Sequence, residues 1–249
     1  FVSRLGKKSN VFQRMFKKLL DSNKLGGLNC MLWKDGQVVY QESSGYKNLE
    51  PREPMTIDAI FRIASMTKPI TSVLAMMLWE EQKLKLDDPI TKWFPQFRNM
   101  HVLKNQHGES EAAKRLITVL DLLTHRAGFT YSEFQQGKLR ADYRRVLGGD
   151  IDSELTNEQW INGLASLPLV NQPGELFNYG KSTDLLGMLI STIEGKPLGK
   201  VMEEKIFRPL AMSDTFFEVP NHKKSRCAAN FGYDESGNLI NLETVPLNM

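Results

Sequence analysis

An α/β fold with a mostly helical insertion is what the sequence predicts, and three observations lead there. In "GGLNCMLWKDGQVVYQESSGY" two β-rich apolar runs flank Asp35-Gly36, a pair favoured in tight hairpin turns. The segment "IFRIASMTKPITSVLAMMLWEEQKL" reads from about Ser65 to Glu81 as a helix that is apolar nearly all round, and is therefore expected to be buried. From Leu86 to about Pro173 the character changes to short helices and loops, in "LDDPITKWFPQF", "ITVLDLLTHRAGF" and "TNEQWINGLASLP", with no strand pair legible.

The remaining elements follow in chain order. Residues 9–24 predict a helix, with Asn10 and Gln13 resembling a capping box and Val11, Phe12, Met15, Phe16, Leu19 and Leu20 forming one stripe. Lys7, Lys8, Lys17 and Lys18 fall on its solvated side. Pro69 is compatible with the helix that follows, because first-turn N–H groups have no internal acceptor. Asp87 and Asp88 before Pro89 read as a helix start. A further helix is expected over about Ser182 to Glu194, ended by Gly195, and another over about Leu198 to Phe207. A last short hairpin is expected around residues 234–237. The expected division is an α/β domain from residues 1–85 and 182–249, with 86–181 as the helical insertion.

A chain of 249 residues, 41% hydrophobic and 24% charged, has the composition of a globular protein with a sizeable core. Its net charge of +3, with both signs interspersed, points to neither a nucleic-acid nor a membrane partner. No 18-residue apolar run is present. Cys30 and Cys227 are isolated, make no metal or redox motif, and are expected as buried free thiols. No secretory leader is legible, which favours the cytoplasm; the chain opens on Phe1, so an upstream segment is not excluded.

Gly180-Lys181-Ser182 imitates the end of a phosphate-binding loop. The loop needs G-x-x-x-x-G-K-[ST], and the position that should hold its first glycine is Glu175. The register is one residue out, and a nucleotide site is rejected.

Ser65 and Lys68 carry more weight. At i and i+3 they share a helical face, where the lysine amine can take the serine proton. A free lysine, with a pKa of about 10.4, is no base at neutral pH, but burial and a helix N-terminus both disfavour its charged form. The same helix end offers the Ser65 N–H as one oxyanion donor. Spacing alone is weak: Ser44 and Lys47 repeat it in a polar turn with no helix behind them. Tyr179, after a Pro-Gly turn and just before a helix, is the expected third member, a phenol that titrates together with the lysine. His125 in "LLTHRAG" has no nucleophile motif nearby and is set aside.

The segments "IFRIASMTKPITS", "LKLDDPITKWFPQF", "ITVLDLLTHRAGF", "QPGELFNYGKSTDLLGMLIS" and "IFRPLAMSDTFF" resemble, in order and spacing, the serine β-lactamase-like family of class C β-lactamases, D-alanyl peptidases and related esterases. The resemblance implies a β-lactamase/transpeptidase-like fold, an antiparallel sheet flanked by helices, and an acyl-enzyme mechanism. Ser65 is then the nucleophile, Lys68 its base and Tyr179 the tyrosine of Y-x-N. Two departures stand out. Lys181 replaces the asparagine of that motif, which favours the esterase branch and gives Lys181 a substrate-binding role. The family's third motif, on an edge strand and supplying the second oxyanion donor, has no match after Tyr179. The C-terminal strands of the fold are therefore expected to lie beyond Met249.

The expected function is a serine hydrolase acting on small acyl esters, with a small-molecule ester or amide as substrate and no metal or organic cofactor. The alternatives are a β-lactamase or D-amino-acid peptidase, and a non-catalytic binding homologue.

Overall fold

The computed structural model describes residues 2–105, 108–149 and 153–242, with side chains from Val11 onward. Two compact units form, one from Phe1–Ala64 with Phe217–Met249, the other from Ser65–Phe216.

In the first unit, α1 (Val2–Asp21) begins earlier than its sequence pattern suggests. Asn10 thus lies inside the helix rather than at its start. "VSRLGKKS" contains only one weak breaker, Gly6, and the helix runs through it at a cost of about 1 kcal/mol. On the packed side Phe16 is buried, and the Phe12 ring lies 5.6 Å from that of Tyr40.

The expected hairpin is present. β1 (Gly27–Lys34) and β2 (Gln37–Leu49) pair antiparallel from Gly27 opposite Gly45 to Lys34 opposite Gln37, with an irregularity between Leu32 and Trp33. The turn holds Asp35 at φ 51° and Gly36 at φ 80°, the paired positive angles that make Asp-Gly favourable there. A third strand, β3 (Arg52–Pro54), pairs with β2.

A C-terminal hairpin pairs Phe231–Tyr233 with Leu239–Asn241. Its turn is held by the Asp234 carboxylate, which accepts from the Ser236 and Asn238 N–H groups. Cys30 and Cys227 are free thiols, half-buried rather than buried as expected.

A 3-10 turn, Ala64–Met66, leads into α2 (Thr67–Glu80) of the second unit. Here the expectation of burial all round is corrected. Thr71, Leu74, Ala75 and Leu78, spaced i, i+3, i+4 and i+7, are buried, whereas Val73 is 51% and Trp79 45% exposed. Apolar composition identifies side chains that can be buried, but only packing decides which are. One face of α2 meets α6 (Ser182–Glu194), and Gly187 of α6 lies so close to its surroundings that an added Cβ would stand 2.8 Å from Leu198 and 3.9 Å from Thr71.

A second correction concerns the helical stretch, which does contain a strand pair. β4 (His101–Leu103) and β5 (Ser110–Ala112) pair antiparallel. Three-residue strands of mixed polarity leave no period-2 signal long enough to read.

The core of this unit gathers Leu74, Phe97, Leu122, Phe129, Tyr143, Leu164, Leu169, Leu185 and Leu189, all essentially inaccessible. Each such side chain stabilises the fold by about 1.5–3 kcal/mol relative to exposure. Around it α3 (Val119–Leu123) packs on α6, and α4 (Gly137–Leu147) on α5 (Asn157–Ser166). Thr118 and Thr156 begin α3 and α5 with full capping boxes. α6 ends at Gly195, φ 64°, as expected. The helix expected over 198–207 divides into α7 (Leu198–Met202) and a π-turn, Glu203–Phe207. Asp88 accepts from the Lys85 N–H and pairs with Lys92 at 3.1 Å. In the first unit, the hairpin is β6 (Phe231–Tyr233) with β7 (Leu239–Asn241). No described helix is long and apolar enough to cross a membrane.

Asp121 ties the α3 cap to a charge pair. Its carboxylate accepts from the Thr118 N–H and hydroxyl and from both terminal nitrogens of Arg115, at 2.6 and 2.8 Å. Burial alone would raise its pKa, but the Arg115 and Thr118 bonds outweigh it and hold the carboxyl below its ordinary range. A lowered folded pKa stabilises above the unfolded value, and that contribution fades as pH falls through the folded one. Asp121→Asn is therefore expected to cost about 1.5–3 kcal/mol at neutral pH, and progressively less in acid. Urea unfolding at neutral and acidic pH measures it; equal midpoints for the two proteins at neutral pH would refute it.

Candidate active site

Ser65 lies in the 3-10 turn directly after Ala64, whose φ of 42° is unusual for a residue with a side chain. One turn on, the Lys68 Nζ donates to the Ser65 Oγ at 3.1 Å. The Tyr179 hydroxyl, from 114 residues later in the chain, donates to the same Oγ at 2.8 Å. Lys68 also stands 4.9 Å from the Tyr179 ring centroid. Three of the four residues singled out in the sequence thus meet at one oxygen. The control pair does not: Ser44 donates to Glu42 at 2.7 Å, while Lys47 bonds the Ser225 carbonyl and pairs with Glu53.

The segment that brings Tyr179 here is pinned along its length. The Gly174 N–H donates to the Arg126 carbonyl and the Asn178 N–H to the His125 carbonyl, both at 2.8 Å. Buried Asn171 accepts from the Asn178 side chain. Gly180 rests against backbone, and a Cβ there would lie 2.5 Å from the Thr130 Cα and 2.6 Å from the Phe129 carbonyl oxygen. Glycine beside Tyr179 therefore answers to close backbone approach rather than to phosphate.

Lys181, at the N-cap of α6, is buried, with its Nζ 4.6 Å from the Tyr131 ring centroid. It borders the site through that ring. Tyr131 itself was not anticipated. Its ring lies 5.7 Å from that of Tyr179 and 5.8 Å from the Lys68 Nζ, and its hydroxyl donates to Asp184 at 3.3 Å.

The two phenols are driven apart. Burial, then the Asp184 charge, pushes the Tyr131 pKa far up. For Tyr179 burial again acts upward, but hydrogen bonds to Lys68 and Ser65 and the Lys68 charge prevail, and its pKa falls below the ordinary value. Tyrosines pushed in opposite directions at one site divide the roles: Tyr179 can carry a proton away, and Tyr131 keeps its own. His125, set aside on sequence, lies with its ring 5.0 Å from Tyr179. Both Tyr131 and His125 belong to "LLTHRAGFTY", and only the folded chain brings that segment against Tyr179.

The family model described as Beta-lactamase matches residues 12–246. Among curated proteins, Protein Rv1367c of Mycobacterium tuberculosis (strain ATCC 25618 / H37Rv) is 36% identical over 230 residues, covering 91% of this chain and 56% of that protein. Esterase EstB of Burkholderia gladioli is 29% identical over 203 residues, 82% of this chain and 50% of its own. Among solved structures, EstCE1, a hydrolase with promiscuous acyltransferase activity, superposes with a TM-score of 0.78 at 28% identity, covering 92% of this chain and 57% of its own. The chain thus spans about half the length of the curated relatives it matches. With the family model matched along nearly the whole sequence and the β-lactamase/transpeptidase-like fold in place, the chain belongs to the beta-lactamase family.

Proposed function

We propose that this protein is a serine hydrolase that cleaves small acyl esters through an acyl-enzyme at Ser65. The observation that carries the reading is the convergence of the Lys68 Nζ and the Tyr179 hydroxyl on the Ser65 Oγ, at 3.1 and 2.8 Å. An alcohol becomes a nucleophile when a positioned base takes its proton. Tyr179, as phenolate beside Lys68, and not Lys68 itself as the sequence suggested, takes that proton while the Oγ attacks the ester carbonyl. The tetrahedral intermediate collapses with Tyr179 returning the proton to the departing alkoxide. Water, activated by the same pair, then attacks the acyl-serine and releases the acid. The Ser65 N–H serves as one oxyanion donor.

The esterase branch is favoured by the names of two relatives, an esterase and a hydrolase with acyltransferase activity. Lys181, standing where a β-lactamase of this type would carry an asparagine amide, favours it too. We assign Lys181 to the substrate side of the site, acting through the Tyr131 ring that it underlies.

A fluorophosphonate probe applied to the native protein is expected to label Ser65, and absence of labelling would sink the hydrolase reading. Turnover of a short-chain aryl ester is expected to exceed that of a chromogenic cephalosporin; the reverse order would replace esterase by lactamase.

A further inference from the structure

The chemistry just described leaves His125 without a task, yet the fold retains it under two handicaps. α3 ends with the Arg126 N–H donating to the Asp121 carbonyl at 2.8 Å and the His125 N–H to the Leu122 carbonyl at 3.3 Å. This is the helix ending in which the left-handed residue is usually glycine, and His125 occupies it at φ 53°. Its Nδ1 is also buried with no hydrogen-bond partner among the described residues. Both features are unfavourable, and the ring contacts of the imidazole are ones that glycine could not make.

We propose that His125 is the positioning residue for Tyr179, holding the phenol over Ser65 by packing its imidazole edge-on to the Phe177 ring and tilted against the Tyr179 ring. The ring centroids lie 5.7 Å from Phe177 and 5.0 Å from Tyr179, within the range of favourable aromatic packing. The His125 Nε2 lies 3.3 Å from the Thr183 hydroxyl in the first turn of α6, a further contact that fixes the ring. The backbone takes part as well, since the His125 carbonyl accepts from the Asn178 N–H at 2.8 Å. Side chain and main chain of one residue thus grip the segment Phe177–Tyr179, which arrives 52 to 54 residues later.

The charges acting on the imidazole are Lys68 from α2 and Asp184 from α6. Burial and Lys68 hold its pKa below the ordinary histidine value, against the pull of Asp184. At neutral pH the ring is uncharged and sets no second cation beside Lys68.

The test reads Tyr179 directly, so it does not depend on turnover. Tyrosine labelled with 13C at Cζ is titrated by NMR in the native protein, with Tyr179→Phe assigning the signal. His125→Gly suits the left-handed backbone and keeps the fold, checked by an undiminished Tm. It is expected to move the Tyr179 ionisation up towards the ordinary tyrosine value. With p-nitrophenyl acetate, kcat is expected to fall about 10- to 100-fold with KM nearly unchanged, the signature of a misplaced catalytic group. His125→Asn tolerates the same backbone and retains polar atoms near Thr183 but lacks the ring, and is expected to behave as His125→Gly does. An unmoved Tyr179 titration in His125→Gly overturns the proposal, as does full recovery in His125→Asn, which would assign the hold to the Thr183 contact. The catalytic consequence rests on the hydrolase reading. A protein inert to every ester whose Tyr179 titration still shifts in His125→Gly would sink that reading and leave the positioning role standing.

Discussion

With alanine at position 65 the protein is expected to form no acyl-enzyme, and its kcat/KM for a short-chain aryl ester to fall by about 10,000- to a million-fold. The Ser65 Oγ is the one atom that both Lys68 and Tyr179 address, so removing it leaves two donors with no shared acceptor. Lys68→Ala is expected to approach the same loss, because the serine proton then lacks the cation that holds Tyr179 ready to receive it. The double variant should be scarcely worse than either single one. Groups that act as a unit are lost as a unit, and their separate effects do not add. Trapping with a fluorophosphonate gives the parallel readout: wild type labels and both single variants do not. Ser65→Ala retaining more than about a hundredth of the wild-type rate would place the nucleophile elsewhere.

Why Ser65 and Lys68 were legible in the sequence while His125 was not is a matter of range. A three-residue spacing on one helix is a local fact, settled by helical geometry wherever the segment folds. The Asp35-Gly36 turn and the α6 stop at Gly195 are local in the same way. Tyr179 stood out by its place after a Pro-Gly turn and before a helix, and the family's motif pattern supported it, but only the fold decides that Ser65 is the serine it meets.

The features that escaped depend on partners. Whether Val73 and Trp79 of α2 are covered cannot be read from their hydrophobicity, and the structure leaves them exposed while Leu74 and Leu78 are buried. The strand pair His101–Leu103 with Ser110–Ala112 is too short to carry a period. His125 looked like a residue in a turn, which it is. Its second role exists only because Asn178 and Tyr179 dock on that turn. Gly180 is a related case. The register of its neighbours rules out a phosphate loop, but only the fold shows that the glycine serves close backbone approach to Phe129 and Thr130.

Tyr179→Phe keeps the ring that packs against His125 and Tyr131 and deletes the hydroxyl that meets Ser65. Removing a general base commonly costs about 100- to 10,000-fold, and kcat/KM for the aryl ester is expected to fall within that range. The pH profile separates this from mere damage. In the proposed mechanism the competent form of Tyr179 is the phenolate, so activity is expected to rise with pH as the phenol loses its proton. Hydrogen bonds to Lys68 and Ser65 and the Lys68 charge hold that pKa below the ordinary tyrosine value despite burial, which places the rising limb below the range of a free phenol. Tyr131, whose pKa burial and Asp184 drive the other way, cannot supply such a limb. The remaining activity of Tyr179→Phe should therefore lack it. Fluorophosphonate labelling of the variant should be slowed but not abolished, since Ser65 and Lys68 remain in contact. A variant that keeps the wild-type limb at reduced amplitude would take the proton-transfer role from Tyr179 and leave it a spacer between Lys68 and the aromatic wall.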